Sequence, residues 1–311
     1  MHEQVWDLID KSHYITLISH LNPDGDSLGC ALAFYPTLKK MGKNVSLFNA
    51  THPVAKKYDF LPNFSKMKSS FPKKCDLLIS FDCGGFDRLG ISKGDFKIIN
   101  IDHHKSNTLF GDINILNFSA SSATIIVYEI LKSKNSTITK DEAICIYTGL
   151  VEDTGFFTFG NTNQIAFDIA SELISYGVIP SQIAQNLKMR NSLAKTRLTA
   201  IFINSFELLK DGQIAIGNVT VEDFRATGAL RSDSDHLVDI LRNLATVELA
   251  IFILEQKNGG LKVSLRSKNR VDVSEIALFF GGGGHQRAAG FESEAKDISS
   301  LIEKIIQKVS L

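Results

Sequence analysis

Phe96-Lys97-Ile98-Ile99-Asn100-Ile101-Asp102-His103-His104 is the stretch on which the reading of this chain turns. Its first part is short and mostly apolar, as a buried strand is. Its end delivers a carboxylate and two imidazoles together. Ends of parallel strands are where open α/β sheets hold their ligands. Burying a carboxylate beside two histidines is costly without a partner, and a divalent cation is the usual one. Alone, the tripeptide fits an exposed, helix-capping turn equally well. The surrounding chain has to decide.

Upstream, Tyr14-Ile15-Thr16-Leu17-Ile18 reads as a strand that runs into His20-Leu21-Asn22-Pro23-Asp24-Gly25-Asp26, where Pro23 and Gly25 make a tight turn. Helices are expected over 5–12 and 28–40, with Gly29, Ala31 and Ala33 allowing close packing and Gly42 near the second helix's end. A strand follows at 44–48. His20, Asp24 and Asp26 can converge on one point. The alternative is a capping turn to which Asp26 contributes. Their spacing is like the start of an EF-hand loop, but the later ligands are missing. A further strand over 75–81 ends at Asp82-Cys83-Gly84-Gly85. Strand–helix alternation with short connections predicts a parallel sheet. Three successive strands would then bring acids or histidines to one edge.

Downstream, helices are expected over 121–132, 141–151 (capped near Thr139 and Asp141) and 165–176. Glu152-Asp153-Thr154-Gly155 supplies a fourth acid, and Phe156, Phe157 and Phe159 either stack on a base or join the core. The boundary between domains falls near Arg190. Residues 1–190 form an α/β parallel-sheet domain. Residues 191–211 form a helical linker, with its helix over 193–209. Residues 212–311 form a smaller mixed α/β domain, with strands at 213–219, 247–255, 261–267 and 288–291 and helices near 234–244, 273–280 and 295–309. Asn258-Gly259-Gly260 makes the middle pair a hairpin. Gly281-Gly282-Gly283-Gly284-His285-Gln286-Arg287 reads as a backbone nest around an anion, or as a flexible turn. Arg266 ends a strand and faces either that anion or solvent.

The chain has 311 residues, enough for two domains, with 44% hydrophobic and 22% charged residues, which excludes wholesale disorder. Its formal net charge is zero, so no global basic field holds long nucleic acid. No apolar run approaches the ~18 residues of a membrane span. The first residues lack the regions of a signal peptide, and a cytoplasmic setting is the default expectation. Cys30, Cys75, Cys83 and Cys145 are scattered, so neither a zinc-thiolate site nor a disulfide framework is expected.

Taken together, His20, Asp24, Asp26, Asp82, Asp102, His103, His104 and Asp153 are too many donors for one closed tetrahedral zinc site. Carboxylates and imidazoles without thiolate suit manganese or a similar cation. Two such ions would need a bridging carboxylate, and the pair would activate water for attack at phosphorus.

His20-x-x-x-Asp24-x-Asp26, Asp82-Cys83-Gly84, Asp102-His103-His104 and Asp153-Thr154-Gly155 resemble the four motifs of the DHH phosphoesterases. Residues 281–285, with Ala288-Ala289-Gly290, resemble the signature of the DHH-associated C-terminal domain. The likeness covers nearly the whole chain, and its compact length resembles the NrnA-type nanoRNase/pAp phosphatases. The resemblance implies that His20 and Asp24 bind one Mn2+, that Asp26, His103 and Asp153 bind another, and that Asp82 bridges both. It implies that Asp102 orients the histidines and that His104 sits at the scissile phosphate. Arg266, Gly282, Gly283, Gly284, His285 and Arg287 would bind substrate phosphate, with the cleft between domains measuring substrate length. The expected activity is hydrolysis of short single-stranded RNA to mononucleotides and of 3′-phosphoadenosine 5′-phosphate (pAp) to AMP. Hydrolysis of cyclic or linear dinucleotides and a non-catalytic nucleotide-binding regulator are the alternatives. No membrane or protein partner is expected, and a homodimer is left open. Phe86, beside the second motif, either alters access or packs.

Overall fold

The computed structural model describes residues 2–134, 137–295 and 297–309. Contacts divide the chain into two units, residues 1–190 and 191–311.

The first unit contains α1 (His2–Lys11), β1 (Tyr14–Ser19), α2 (Gly25–Lys40), β2 (Asn44–Phe48), β3 (Met67–Lys68), β4 (Leu77–Phe81), β5 (Lys97–Asp102), β6 (Ile113–Leu116), α3 (Ala123–Ser133), α4 (Lys140–Asp153), α5 (Gln164–Ser175) and α6 (Pro180–Lys188). Its strands form one parallel sheet in the order β3-β2-β1-β4-β5-β6. Ile15 pairs with Val45 on one side and Leu77 on the other. The order therefore reverses between β1 and β4, a switch point at which strand-end loops part and leave a crevice. All of β4, and β1 and β5 beyond their first residues, are buried, which is why they read as unbroken apolar runs.

Leu17, Ile79 and Ile101 face a core shared with Leu28, Phe34, Ile126 and Leu150 of the helices. The other face, with Ile18, Leu78 and Ile98, lies under Phe71, Phe86, Phe96 and Phe110 from the connecting loops. Phe86 packs edge-on against Phe110 at a centroid distance of 6.0 Å. The close approach of α2 to α4 requires glycine: a Cβ at Gly29 would stand 2.5 Å from the Cys145 carbonyl oxygen. The four cysteines are free.

Two local expectations are corrected here. Helix α2 begins at Gly25, before the expected residue 28, because Asp24 rather than Asp26 caps it: Asp24 Oδ1 accepts the Ser27 N–H at 3.0 Å. Asp26 caps a different helix. Its carboxylate accepts the Ala123 and Thr124 N–H groups of α3 at 2.6 and 2.9 Å.

The second unit contains α7 (Leu193–Ser205), β7 (Glu207–Leu209), β8 (Ile214–Val219), α8 (Val221–Thr227), α9 (Leu237–Arg242), β9 (Leu249–Glu255), β10 (Leu261–Ser267), α10 (Val273–Phe279), β11 (Gly283–His285), β12 (Ala288–Ser293) and α11 (Ile298–Ile306). Its sheet runs β11-β12-β10-β9-β8-β7, with only β8 and β9 parallel. One face packs on α10 and α11, the other on α7 and α9. The helical linker expected over 191–211 is corrected. Its helix stops at Ser205, and residues 207–209 pair with β8 instead. Leu198 and Phe202 of α7 are fully buried in the core of this unit, so that helix is part of the domain it introduces. Among the described residues, no helix is long and apolar enough to cross a membrane.

Candidate metal centre

The ends of β1, β4 and β5, with the facing ends of α2 and α4, gather the acids and histidines of the first unit. His20 follows β1, and Asp24 and Asp26 flank the first residue of α2. Asp82 follows β4, Asp102 closes β5 before His103 and His104, and Asp153 closes α4. Asp82 turns the chain with a φ of 52°, a left-handed conformation that aspartate tolerates better than most residues. Close packing makes room for Asp26: a Cβ at Gly149 would come within 2.7 Å of its Oδ1.

The ligand atoms form three sets that could hold a cation: His20 with Asp24 and Asp82; Asp26 with His103 and Asp153; and Asp82 with His103 and His104. Asp82 stands between the first two. Its Oδ2 lies 3.6 Å from His20 Nε2, and its Oδ1 lies 3.4 Å from His103 Nε2. His20 Nε2 is also 3.6 Å from Asp24 Oδ2, and His103 Nε2 is 3.6 Å from Asp153 Oδ2 and 3.9 Å from Asp26 Oδ2.

Backbone carbonyls orient two imidazoles. His20 Nδ1 meets Leu21 O at 2.8 Å and His103 Nδ1 meets Ala120 O at 3.1 Å. Each carbonyl accepts the Nδ1–H, so Nε2 is the nitrogen that faces the carboxylates and is open to a cation once its own proton is lost. His104 is turned the other way, with Nδ1 on Asp102 Oδ1 at 2.7 Å. Asp102 is fully buried and also accepts the His103 N–H at 2.8 Å and Asn107 Nδ2 at 2.6 Å. It therefore orients the His104 ring and the backbone of the turn. The expectation that it orients both imidazoles is corrected, because Ala120 holds the other.

The donor set fits a cation on the evidence of one atom. Asp82 Oδ1 is buried and accepts no hydrogen bond. A buried anionic oxygen without a partner is expensive, and a metal ion supplies that partner. Charges in the pocket are correspondingly displaced. Burial pulls the His20 and His103 imidazoles down, but the facing Asp24 and Asp82, or Asp82 and Asp26, push each up to about 10. Burial and the charges of Asp82 and Asp153 raise Asp26 well above the carboxylate range. Burial pushes Asp82 up, yet the His103 and His20 imidazoles outweigh it and hold it low. Burial also raises Asp153, against the pull of His103 and with the charge of Asp82, to about 7. Protons and cations compete for one site.

The glycine-rich stretch of the second unit differs from the expected nest. The Gly281 and Gly282 N–H groups close α10 by donating to Leu278 O and Ala277 O at 3.0 and 2.8 Å. Gly281, at φ 78°, is the left-handed residue that such a helix end calls for. Gly283, Gly284 and His285 form an exposed edge strand against Gly290, Ala289 and Ala288. Arg287 Nη1 donates to Val271 O at 2.7 Å, and Arg266 Nε lies 3.9 Å from Asp239 Oδ1. Of the phenylalanines after Asp153, Phe156 and Phe157 pack against the core and Phe159 is half exposed.

Sequence reasoning missed the supporting amides. Asn107 holds Asp102, and Asn161 Nδ2 donates to Asp153 O at 3.1 Å and reaches Asp153 Oδ2 at 3.4 Å. No motif marks either one.

The DHH family, N-terminal domain, matches residues 14–150, and the DHHA1 domain matches residues 217–311. Over 299 residues the chain is 30% identical to the bifunctional oligoribonuclease and PAP phosphatase NrnA of Thermus thermophilus, covering 95% of this chain and 89% of that protein. Its identity to the Bacillus subtilis protein of the same name is 28%, over 89% of this chain and 88% of the relative. The crystal structure of an exopolyphosphatase-related protein from Bacteroides fragilis matches with a TM-score of 0.91 at 25% identity, covering 99% of this chain and 95% of that one. Fold and site define a metal-dependent phosphoester hydrolase. The chain belongs to the DHH family, with a DHHA1 domain in its second unit.

Proposed function

We propose that this protein hydrolyses very short RNA to mononucleotides and pAp to AMP and phosphate, using two Mn2+ ions. One observation carries the reading: Asp82 turns one oxygen to each of two ligand sets and leaves Oδ1 without a hydrogen bond. His20 and Asp24 would hold one ion, Asp26, His103 and Asp153 the other, and Asp82 both. The all-oxygen-and-nitrogen donor set favours Mn2+ over thiophilic metals. Bound ions would make a water nucleophilic at neutral pH and offset phosphate charge.

The chain's own residues do the rest. Asp102 holds His104 through Nδ1 and, with Asp82, raises its pKa against the effect of burial, so His104 carries a proton for the departing oxygen. Water gives up one proton to solvent as its oxygen adds to phosphorus, the ester P–O bond breaks, and the leaving oxygen takes the His104 proton. Because the attack is at phosphorus, one site serves both an internucleotide ester and the 3′-phosphate of pAp.

In this reading residues 1–190 are the catalytic domain and the DHHA1 region binds substrate. Arg266, Gly283, Gly284, His285 and Arg287 meet the phosphate of short single-stranded RNA or pAp, while Gly282 shapes the turn that presents them. A cytoplasmic setting goes with those substrates. The test is Mn2+-dependent turnover of pAp, an RNA dinucleotide, an RNA about 24 nucleotides long and cyclic di-AMP, side by side. Fast turnover of the first two with slow cleavage of the long RNA is expected. Preferential opening of the cyclic substrate would reassign the substrate class. Mn2+ binding without turnover of any would leave a nucleotide-binding regulator.

A further inference from the structure

We infer that Glu152, a residue with no ligand role, is a positioning residue that fixes the spacing of the two ligand sets; this rests on the metal-site reading above. Glu152 immediately precedes Asp153 in α4. Its Oε2 accepts the Gly25 N–H at 2.8 Å. Gly25 lies between Asp24 and Asp26, which belong to different ligand sets. One carboxylate thus ties the turn carrying Asp24 and Asp26 to the helix end carrying Asp153. The first amides of a helix lack partners within it, and an anion is favoured there. At α2, Asp24 serves Ser27 and Glu152 serves Gly25.

Glu152 is itself held in place. The Tyr58 hydroxyl lies 2.9 Å from each carboxylate oxygen, and Lys57 Nζ is 2.7 Å from Oε1. Tyr58 is only 1% exposed. Burial and the Glu152 charge push its hydroxyl well up, so it remains a donor. The next residue, Asp59, is ion-paired with Arg190 at 2.6 Å. A lysine–glutamate pair alone would be a weak, half-exposed contact, and the buried tyrosine makes the arrangement definite. Gly25 is required as well, because a Cβ there would collide with Glu152 Oε2. Glu152 acts on the ions only through the residues on either side of its bond, by keeping the two ligand-bearing stretches at one distance.

The test is Mn2+ titration calorimetry on the full chain, with pAp kinetics on the same samples. Glu152→Ala should weaken Mn2+ binding by about tenfold, the lower range for groups that orient metal ligands. It should lower kcat and leave KM for pAp nearly unchanged. Glu152→Gln keeps an oxygen for the Gly25 N–H and should restore most of the affinity. Lys57→Met should bind Mn2+ as the wild type does. If Glu152→Ala does not fold, Tyr58→Phe, which leaves the Gly25 bond and removes one prop, should give a smaller loss of affinity in the same direction. Wild-type protein that binds Mn2+ while Glu152→Ala, or Tyr58→Phe in its place, binds equally well overturns the role of Glu152 alone. Wild-type protein that binds no Mn2+ overturns the metal reading and this inference with it.

Discussion

At the edge of the first sheet, His20, Asp26, Asp82 and Asp102 are 5%, 1%, 3% and 0% exposed. At the glycine hairpin of the second unit, Gly283, Gly284, His285 and Gln286 are all exposed. The first region fixes side chains by contacts that reach far along the chain: Asp26 accepts the Ala123 N–H, and Asp82 faces the His20 and His103 imidazoles at 3.6 and 3.4 Å. The second offers a strand edge with little side-chain bulk. A buried charge set is costly unless it is matched by opposite charge. An exposed backbone edge can meet ligands of several shapes.

Substitutions can break that contrast, and the largest effect should come from the shared carboxylate. Asp82→Asn should lower pAp turnover by about a thousandfold, equivalent to roughly 4 kcal/mol of transition-state stabilisation. Steady-state kinetics in excess Mn2+, with circular dichroism as a check on folding, reads this. Near-normal turnover would show that no bridge is needed. Asp102→Asn should cost about a hundredfold in turnover, within the range for general acid–base groups, since it disturbs the proton on His104. The bound Mn2+ should remain, seen by calorimetry.

The glycine hairpin should respond differently. A Cβ at Gly283 meets nothing within 4 Å, whereas one at Gly282 would run into Gly290 and Phe291 of β12. Gly283→Ala should therefore leave the melting temperature unchanged and raise KM by severalfold, roughly 1 kcal/mol of lost binding. Gly282→Ala should lower the melting temperature. Unchanged kinetics in Gly283→Ala would remove this edge from the substrate site.

The smallest effect is one of pH. Asp153 rises to about 7, and His20 and His103 to about 10, in the folded protein. A raised folded pKa contributes stability below the unfolded value and loses it as pH rises through the folded one. The metal-free protein should thus lose stability progressively from about pH 4 through about pH 7 for Asp153, and from about pH 6.5 through about pH 10 for the histidines. Mn2+ binds the deprotonated groups. Its stabilising increment in melting temperature should grow from about pH 6 to about pH 8. A flat increment would separate the cation from these groups.

What could be read in the sequence follows the range of the forces involved. β1, β2, β4 and β5 were legible because local apolar runs specify them. β3, with two residues, and β6, with four, carry too little pattern. Residues 206–209 look like a continuing helix, and only pairing with β8 makes them strand. The candidate ligands were legible because each sits at an element's end. Asn107, Asn161 and Glu152 were not, because their roles depend on which distant stretches the fold brings together. The glycine run was visible, but the sequence does not say that two of its amides close α10.

The most direct measurement is a crystal structure with Mn2+, with anomalous difference density collected at the manganese edge. Two peaks are expected about 3.5–4 Å apart, one by His20 and Asp24, the other by Asp26, His103 and Asp153, each within bonding distance of a different Asp82 oxygen. A single peak, or two that do not share Asp82, would contradict the two-ion centre.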